Sequence, residues 1–415
     1  MAAPLPPALN SPRFGYLTAL VRSIMRPCAV LAVTLSLVVV AHAASNPSGG
    51  IQTSAPIALL MDAETGSVLL EKNPDQVMAP SGMAKLMTAE VVFNEIKEGR
   101  LKLDDEFNIS EDTWRRGGAP SHTSSMFAAI HSRVRVEDLI RGMIIQTAND
   151  ASLALAEGIS GNELTFVQAM NKRASELGLT QSHFANATGL PDPREKMTAR
   201  ELAKLGQHII QTYPDFYLIF AEKEFTWNKI RQQNRNPLLN LGLGADGMTI
   251  GFSVEGGYGL VGSVVQNGQR LILVMSGLRS AKEREEEARK LIEFGFRGFE
   301  TRLLFAEGQI IGEARLFGGS SRNVPLIAPG VISLLVPRGA TERILAKIVY
   351  TGPVPAPVTE GQPIGTLKVF RGENLSLEVP LKAAESVGTG SLSQRAFDAA
   401  TELVIGLFRS GVSRL

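Results

Sequence analysis

The sequence predicts an α/β (α+β) protein: a domain with a mainly antiparallel sheet flanked by helices, then a small all-β domain. Three observations support this fold class. Strand-like runs bracket the first part, at residues 57–70 and 258–275, and a helical block lies between them. From about residue 299, β-rich runs recur with Gly and Pro between them. The last stretch, residues 394–415, is amphipathic at helical spacing.

The sheet of the first part is predicted from two pairs of short strands. Residues 57–61 and 67–70 flank a turn at residues 64–66. Residues 258–266 and 270–275 flank Asn267 and Gly268, and an Asn-Gly pair between β-rich runs is a strong hairpin signal. These four segments therefore predict a mainly antiparallel sheet.

The helical block is predicted from apolar residues at a period near 3.6 and from capping residues. Thr198 with Glu201, and Ser280 with Glu283, have the spacing of capping boxes. Residues 100–133 show no periodic pattern and are expected to be irregular. The predicted helices are a segment beginning near Pro80 and residues 134–146, 151–157, 161–178, 199–212 and 281–296. The strand-like runs of the second domain are residues 309–316, 331–336, 344–350, 365–370 and 375–379.

The N-terminal segment has the pattern of a signal peptide, residues 1–43. Arg22 and Arg26 precede an apolar run, residues 29–40, and residues 41–43 read Ala-His-Ala, a small-x-small cleavage pattern. Translation could start at Met1 or Met25, and an uncleaved anchor is the alternative to a signal peptide. The only cysteine, Cys28, lies in this segment, so the mature chain would have no disulfide and no thiol nucleophile.

Composition and motifs exclude several classes of function. The net charge is +1, which offers no case for a nucleic-acid partner. No phosphate-binding or dinucleotide fingerprint is present. The histidines of the mature chain share no metal-ligand spacing, so neither a metal nor a cofactor is expected. These are His122, His131, His183 and His208.

The chemistry centres on the predicted helix that begins near Pro80. Apolar residues surround Lys85 on nearly every side of it, so the helix is expected to be buried. Burial lowers the pKa of a lysine and makes its neutral amine available as a base. In one class of acyl-transfer enzyme, the serine three residues before such a lysine is the nucleophile. Here that position is Gly82.

Two further segments complete an acyl-transfer pattern. Residues 147–149 read Thr-Ala-Asn and place a hydroxyl and an amide between two predicted helices. Residues 246–251 read Asp-Gly-Met-Thr-Ile-Gly and lead into the hairpin of residues 258–275.

With these segments, the chain resembles the serine-type D-alanyl-D-alanine carboxypeptidases, the low-molecular-mass penicillin-binding proteins, whose motifs are S-x-x-K, S-x-N and K-T-G. The likeness also covers residues 182–190, 192–193, 197–200 and 234–239, and it extends from about residue 57 to the C-terminus. It implies a penicillin-binding or β-lactamase-like domain at residues 51–298, a β-rich domain at 299–383 and a membrane-associating helix at 394–415. A helix docked on its own protein is the alternative for the last segment. The implied location is the periplasm, at the outer face of the cytoplasmic membrane.

Carried over by position, the family's motifs are only partly retained. Lys85 fits the general base and Asn149 the asparagine, and Thr147 replaces the second serine. Gly82 occupies the nucleophile position and has no Oγ, so no acyl-enzyme can form there. At the K-T-G position the chain has Thr249, Ile250 and Gly251. A substrate carboxylate would thus lose a charged partner at Thr249, and Ile250 would put an alkyl group in the groove.

Three interpretations remain open at this level. The chain is a catalytically silent member that binds peptidoglycan stem peptides or a cell-wall enzyme. Alternatively it is a working carboxypeptidase in which Ser81 is the nucleophile and Lys85 the base. The helical spacing argues against this, because position 81 lies about 100° around a helix from position 82. The third interpretation is a structural envelope protein whose cleft binds nothing.

Overall fold

The computed structural model describes residues 51–339, 343–372, 374–397 and 399–400. The predicted signal peptide, residues 1–43, lies outside the described residues, as does most of the predicted helix at 394–415. Among the described residues, no helix combines the length and the apolar character needed to cross a bilayer.

The first part of the chain alternates short strands with helices. Its strands are β1 (Ile57–Asp62), β2 (Val68–Lys72), β3 (Glu106–Asn108), β4 (Arg133–Arg135), β5 (Glu224–Trp227), β6 (Ile230–Gln233), β7 (Ala245–Ser253), β8 (Gly257–Gln266) and β9 (Gln269–Leu278). Its helices are α1 (Lys85–Lys97), α2 (Glu111–Gly117), α3 (Val136–Ile145), α4 (Asn149–Ser160), α5 (Glu163–Glu176), α6 (Ala199–Thr212), α7 (Pro214–Tyr217) and α8 (Ala281–Gly298).

The central sheet has five antiparallel strands in the order β2-β1-β9-β8-β7, which confirms the predicted sheet. Asn267 and Gly268 both have positive φ, at 51° and 81°, as the predicted two-residue hairpin turn requires. One apolar cluster fills the space between one face of the sheet and helices that include α1 and α6. Another cluster fills the space between the opposite face and α8. Strand β7 forms one edge of this sheet and contacts the turn that precedes α1.

The predicted helices are present, and the boundaries of α6 match the prediction at both ends. The Thr198 side chain accepts a hydrogen bond from the backbone N–H of Glu201, as the capping pattern predicts. The expectation that residues 100–133 are irregular was wrong, since β3, α2 and the start of β4 lie there. Helix α2 has only seven residues, too few for a periodic signal, and the Ser110 side chain caps it.

The second part of the chain is all-β, as predicted. A six-stranded sheet has the order β14-β16-β17-β12-β11-β15, and β10 pairs with β13. Its apolar cluster is separate from those of the first part. The strands are β10 (Phe299–Phe305), β11 (Gly312–Phe317), β12 (Asn323–Ile327), β13 (Ile332–Pro337), β14 (Ile344–Tyr350), β15 (Val354–Pro355), β16 (Pro363–Arg371) and β17 (Asn374–Ala383).

Candidate active site

The turn before α1 forms the floor of the candidate site. Residues Ser81–Ala84 form a 3-10 turn, and α1 begins only at Lys85. A Cβ atom placed on Gly82 would lie 2.8 Å from the backbone oxygen of Ile250, on β7. Strand β7 therefore approaches position 82 so closely that a side chain there would force a small shift.

Lys85 lies in a buried, hydrogen-bonded position. Its side chain is 6% exposed, and α1 is buried from Lys85 to Phe93, as the sequence predicted. The ammonium group donates to the Asn149 Oδ1 atom at 2.8 Å and to the backbone oxygen of Thr188. Burial lowers the pKa of Lys85 to about 7, partly opposed by the negative charge of Glu195. A neutral amine is therefore available near neutral pH.

The loop before α4 brings Thr147 and Asn149 to the same site. Asn149 donates from Nδ2 to the Thr123 hydroxyl at 2.9 Å, and its backbone N–H donates to the Ser124 oxygen at 2.7 Å. The Thr147 hydroxyl lies 3.3 Å from that of Ser124, and the backbone of Thr147 is left-handed, with φ 55°. Lys85, Asn149 and Thr147 thus form one wall of the cleft, here called the helical wall.

Strand β7 forms the opposite wall, here called the strand wall. Thr249 is 6% exposed and pairs with Val261, whose side chain belongs to the cluster on the α1 side of the sheet. Ile250 pairs with Leu260 and packs against the cluster under α8. The Ile250 side chain thus has apolar contacts on the α8 side of the sheet, opposite to Thr249, because successive residues of a strand face opposite sides. Gly251 follows, close to the backbone oxygen of Pro80.

The helical-wheel comparison of positions 81 and 82 was also wrong. Ser81 has φ 51°, in the left-handed region, so it does not continue the helix. Its side chain is buried and lines a cavity together with Glu195 and residues 189–193. The conformation of this turn, and not helical periodicity, decides where the Ser81 hydroxyl points.

Sequence reasoning missed two charged residues of the site. Glu195 is 5% exposed, and burial raises its pKa to about 8, opposed by the charge of Lys85. Arg235 donates from Nε to the Gln146 side chain at 3.3 Å, and its positive charge helps to lower the pKa of Lys85. Arg235 lies within a segment that carried the family resemblance and Glu195 lies between two of them, but no residue at a recognisable motif spacing marks either one. Only the folded chain brings them to Lys85.

The arrangement offers a base without an obvious nucleophile. Lys85 can hold or release a proton, while position 82 supplies only backbone. In the part of the chain that the structure describes, no cluster of three or more His, Cys, Asp or Glu side chains could hold a metal ion. The groups able to bind a ligand are the amide of Asn149, the hydroxyls of Thr147 and Ser81, and the charges of Arg235 and Glu195.

Comparison with known families matches both parts of the chain. Residues 40–280 match the model of the D-alanyl-D-alanine carboxypeptidase peptidase family. Residues 299–389 match the model of the C-terminal domain of penicillin-binding protein 5.

Individual relatives cover most of the chain. The D-alanyl-D-alanine carboxypeptidase DacA of Haemophilus influenzae is 37% identical over 362 residues, which span 86% of this chain and 91% of the relative. The carboxypeptidase DacC of Escherichia coli is 38% identical over 82% of this chain and 86% of the relative. The crystal structure of penicillin binding protein 5 from Haemophilus influenzae superposes with a TM-score of 0.72 and 37% identity, covering 81% of this chain and 98% of that one.

Proposed function

Because the chain belongs to the D-alanyl-D-alanine carboxypeptidase family of peptidoglycan metabolism, we propose that it binds stem peptides without forming an acyl-enzyme. The family reaction removes the terminal D-Ala of a stem pentapeptide through an ester on a serine. A member without that serine keeps the fold and the cleft and holds the peptide end without cleaving it.

The observation that carries this proposal is the floor of the cleft. Gly82 has no hydroxyl, and the space that its side chain would need is taken by the backbone oxygen of Ile250 at 2.8 Å. The hydrogen bonds of Lys85 go to Asn149 and Thr188, not to a serine. The base is therefore held in place by a side-chain amide and a backbone carbonyl, neither of which is a nucleophile.

Binding is supported by the groups that remain. A stem peptide ends in a carboxylate, and the family's K-T-G lysine is replaced by Thr249. Arg235 lies close enough to Lys85 to lower its pKa, so a guanidinium is still available at this end of the cleft. A guanidinium can bind a carboxylate through two hydrogen bonds. Asn149 adds an amide for the peptide backbone.

The first experiment measures the intact mass of the purified protein after incubation with a penicillin, a substrate mimic that acylates the family's serine. We expect no adduct. The matched control is the triple variant Gly82→Ser, Thr249→Lys, Ile250→Thr, which we expect to gain one drug mass. A Cβ atom at position 82 requires β7 to move. The variant Gly82→Ala is therefore a further control, and its stability shows whether the fold tolerates a side chain at this position.

The same experiment tests the alternative of a working enzyme. The left-handed backbone of Ser81 is a conformation that persists at functional sites, which favours Ser81 as the second candidate nucleophile. An adduct on the unsubstituted protein that maps to Ser81, and disappears in Ser81→Ala, would contradict the proposal and restore the enzyme.

A second experiment separates a binding protein from a structural one. A short N-acetylated peptide ending in D-Ala-D-Ala is titrated into the protein, and its C-terminal amide serves as control. We expect only the free carboxylate to bind, and Arg235→Gln to weaken binding about tenfold or more, because a charge-assisted hydrogen bond is worth about 1.5–3 kcal/mol. No binding of either peptide to the folded protein would favour a purely structural role.

We also propose that the protein is exported and held at the outer face of the cytoplasmic membrane by residues 394–415. The support is the amphipathic pattern of that segment. Deleting these residues is expected to move the protein to the soluble periplasmic fraction. Continued sedimentation with membranes would count against the anchor and favour a helix docked on its own protein. A cell-wall enzyme as a partner would be sought by cross-linking in cells.

A further inference from the structure

A cavity of about 330 Å3 lies beside the Ser81 turn, and neither Arg235 nor Gln146 is among its lining residues. Its walls come from three segments: the turn before α1, the loop before α6 and the turn between β7 and β8. The lining residues are Ala79, Pro80, Ser81, Gly189, Leu190, Pro191, Asp192, Pro193, Glu195, Ser253 and Glu255.

Glu195 is the buried polar group of this cavity, and one of its oxygens has no partner. Its Oε2 atom accepts a hydrogen bond from Asn186 at 3.1 Å. Its Oε1 atom is buried and has no hydrogen-bond partner among the described residues. In the same part of the chain, Lys85 forms no ion pair with it, since the Lys85 ammonium donates to Asn149 and Thr188. A buried carboxylate oxygen without a donor is costly unless a ligand supplies one.

The other lining residues determine which kind of donor fits. All three ionisable side chains of the lining are carboxylates, and no lysine or arginine is among them. Arg194 pairs with Asp192, whereas neither Glu195 nor Glu255 forms an ion pair with another described residue. The hydroxyls of Ser81 and Ser253 can accept further hydrogen bonds. Proline and leucine side chains form much of the remaining surface, which suits an aliphatic chain.

We propose that this cavity binds a primary ammonium group on a short apolar arm, with the ammonium donating to the Glu195 carboxylate, whose buried Oε1 atom turns towards the cavity to accept it. An ammonium has three donors and no acceptor, which matches one carboxylate oxygen and two hydroxyls. The arm then packs against Leu190, Pro191 and Pro193. This inference rests on the proposed function and deepens it, because a stem peptide that carries an amine-bearing side chain would supply such a group.

The test uses a simple amine, so that it does not depend on recognition of the peptide end. Protonated n-butylamine is titrated into the 15N-labelled protein at about pH 9, where Glu195, with a pKa of about 8, is ionised and an alkylamine with a pKa of about 10 is still protonated. The backbone amide shifts of residues 189–195 are followed. The isosteric control ligand is n-butanol. We expect the amine to bind in the millimolar range with saturating shifts at the Gly189 and Glu195 amides, and the alcohol to produce none.

Two substitutions identify the group responsible. Glu195→Gln keeps the shape and removes the charge, and we expect it to weaken amine binding at least tenfold, or about 1.4 kcal/mol. Glu64→Gln, in the exposed turn between β1 and β2, is the matched control and is expected to change nothing.

Three outcomes would overturn the inference: equal binding of butanol, unchanged affinity in Glu195→Gln, or no shift with the amine. If Glu195→Gln fails to fold, the comparison of amine with alcohol on the unsubstituted protein still tests whether the cavity binds an ammonium group. If the D-Ala-D-Ala peptide binds but the amine does not, only this inference fails. If the amine binds but the peptide does not, the proposed function fails instead.

Discussion

The two walls of the cleft differ in how far they keep the residues of the family. The helical wall retains the lysine and the asparagine, and Thr147 still provides a hydroxyl. At the position that the resemblance assigns to K-T-G, the strand wall has Thr249 and Ile250 in place of the lysine and threonine, and only Gly251 matches. At the floor between them lies Gly82, which has no hydroxyl at the position that the resemblance assigns to the nucleophile.

The contacts of each wall explain this difference. Lys85 and Asn149 are hydrogen-bonded to each other and to the loops that carry Thr188 and Thr123. Replacing either would leave buried polar atoms without partners, which destabilises the fold. On the strand wall, Ile250 adds apolar contact under α8 instead. The presence of a family residue at such a site is therefore explained by its contribution to stability as well as by a catalytic role.

The largest expected effect concerns the contact that holds the Ser81 turn. A Cβ atom on Gly189 would lie 2.0 Å from the backbone oxygen of Ser81, and Gly189 has φ +69°. Gly189→Ala should therefore lower the free energy of unfolding by more than about 3 kcal/mol. The measurement is urea unfolding of both proteins.

The matched control for this change is Gly66→Ala. Gly66 has a similar φ of +71°, but a Cβ there meets nothing within 4 Å. Only the backbone strain of about 1–2 kcal/mol is then expected. Equal losses in the two variants would show that the Ser81 contact contributes nothing beyond backbone conformation.

An effect of intermediate size is expected from substitution of two buried threonines. One is Thr88, on the helix that carries Lys85, and the other is Thr249, on the strand wall. The Thr88 hydroxyl of α1 donates to the backbone oxygen of Ala187 at 2.8 Å. Thr88→Val should lower the free energy of unfolding by about 1–2 kcal/mol, because that oxygen loses its partner. Among the described residues, Thr249 makes no such hydrogen bond, so Thr249→Val should change stability by less than about 0.5 kcal/mol. Denaturant unfolding measures both, and a larger loss for Thr249→Val would reverse the contrast.

The smallest expected effect is a pH dependence at Glu195. Burial raises the pKa of Glu195 from 4.5 to about 8. The positive charge of Lys85 lowers this pKa, and the negative charges of Asp192 and Glu163 raise it slightly. A raised pKa means that the folded state binds the proton more tightly than the unfolded state. Its contribution to stability is thus full below about pH 4.5 and is lost as the pH rises towards 8.

The variant Glu195→Gln cannot titrate and provides the reference for this effect. Between pH 6.5 and 7.5, the wild-type protein should lose stability relative to Glu195→Gln, by on the order of 1 kcal/mol. Thermal unfolding of both proteins at several pH values measures the difference. A difference that stays constant, or that changes in the opposite direction, would mean that Glu195 is ionised in the folded protein throughout this range.

Much of the fold could be predicted from the sequence because its signals are local. The Asn267-Gly268 turn, the Thr198 cap and the buried face of α1 depend on residues within one or two turns of chain. Helix α2 and β3 escaped prediction because seven and three residues are too few to establish a period. The side of β7 occupied by Ile250 depends on the strand's register with β8, which composition does not reveal.

By itself, the sequence determined the family and the absence of a hydroxyl at position 82, since both depend only on which residues occur in which order. It also singled out Lys85, Thr147 and Asn149. The tertiary structure alone decided that Glu195 and Arg235 act on Lys85 and that Ser81 lines a cavity with Glu195. The physical reason is that burial, backbone conformation and electrostatic partners arise only when segments distant in the chain pack together.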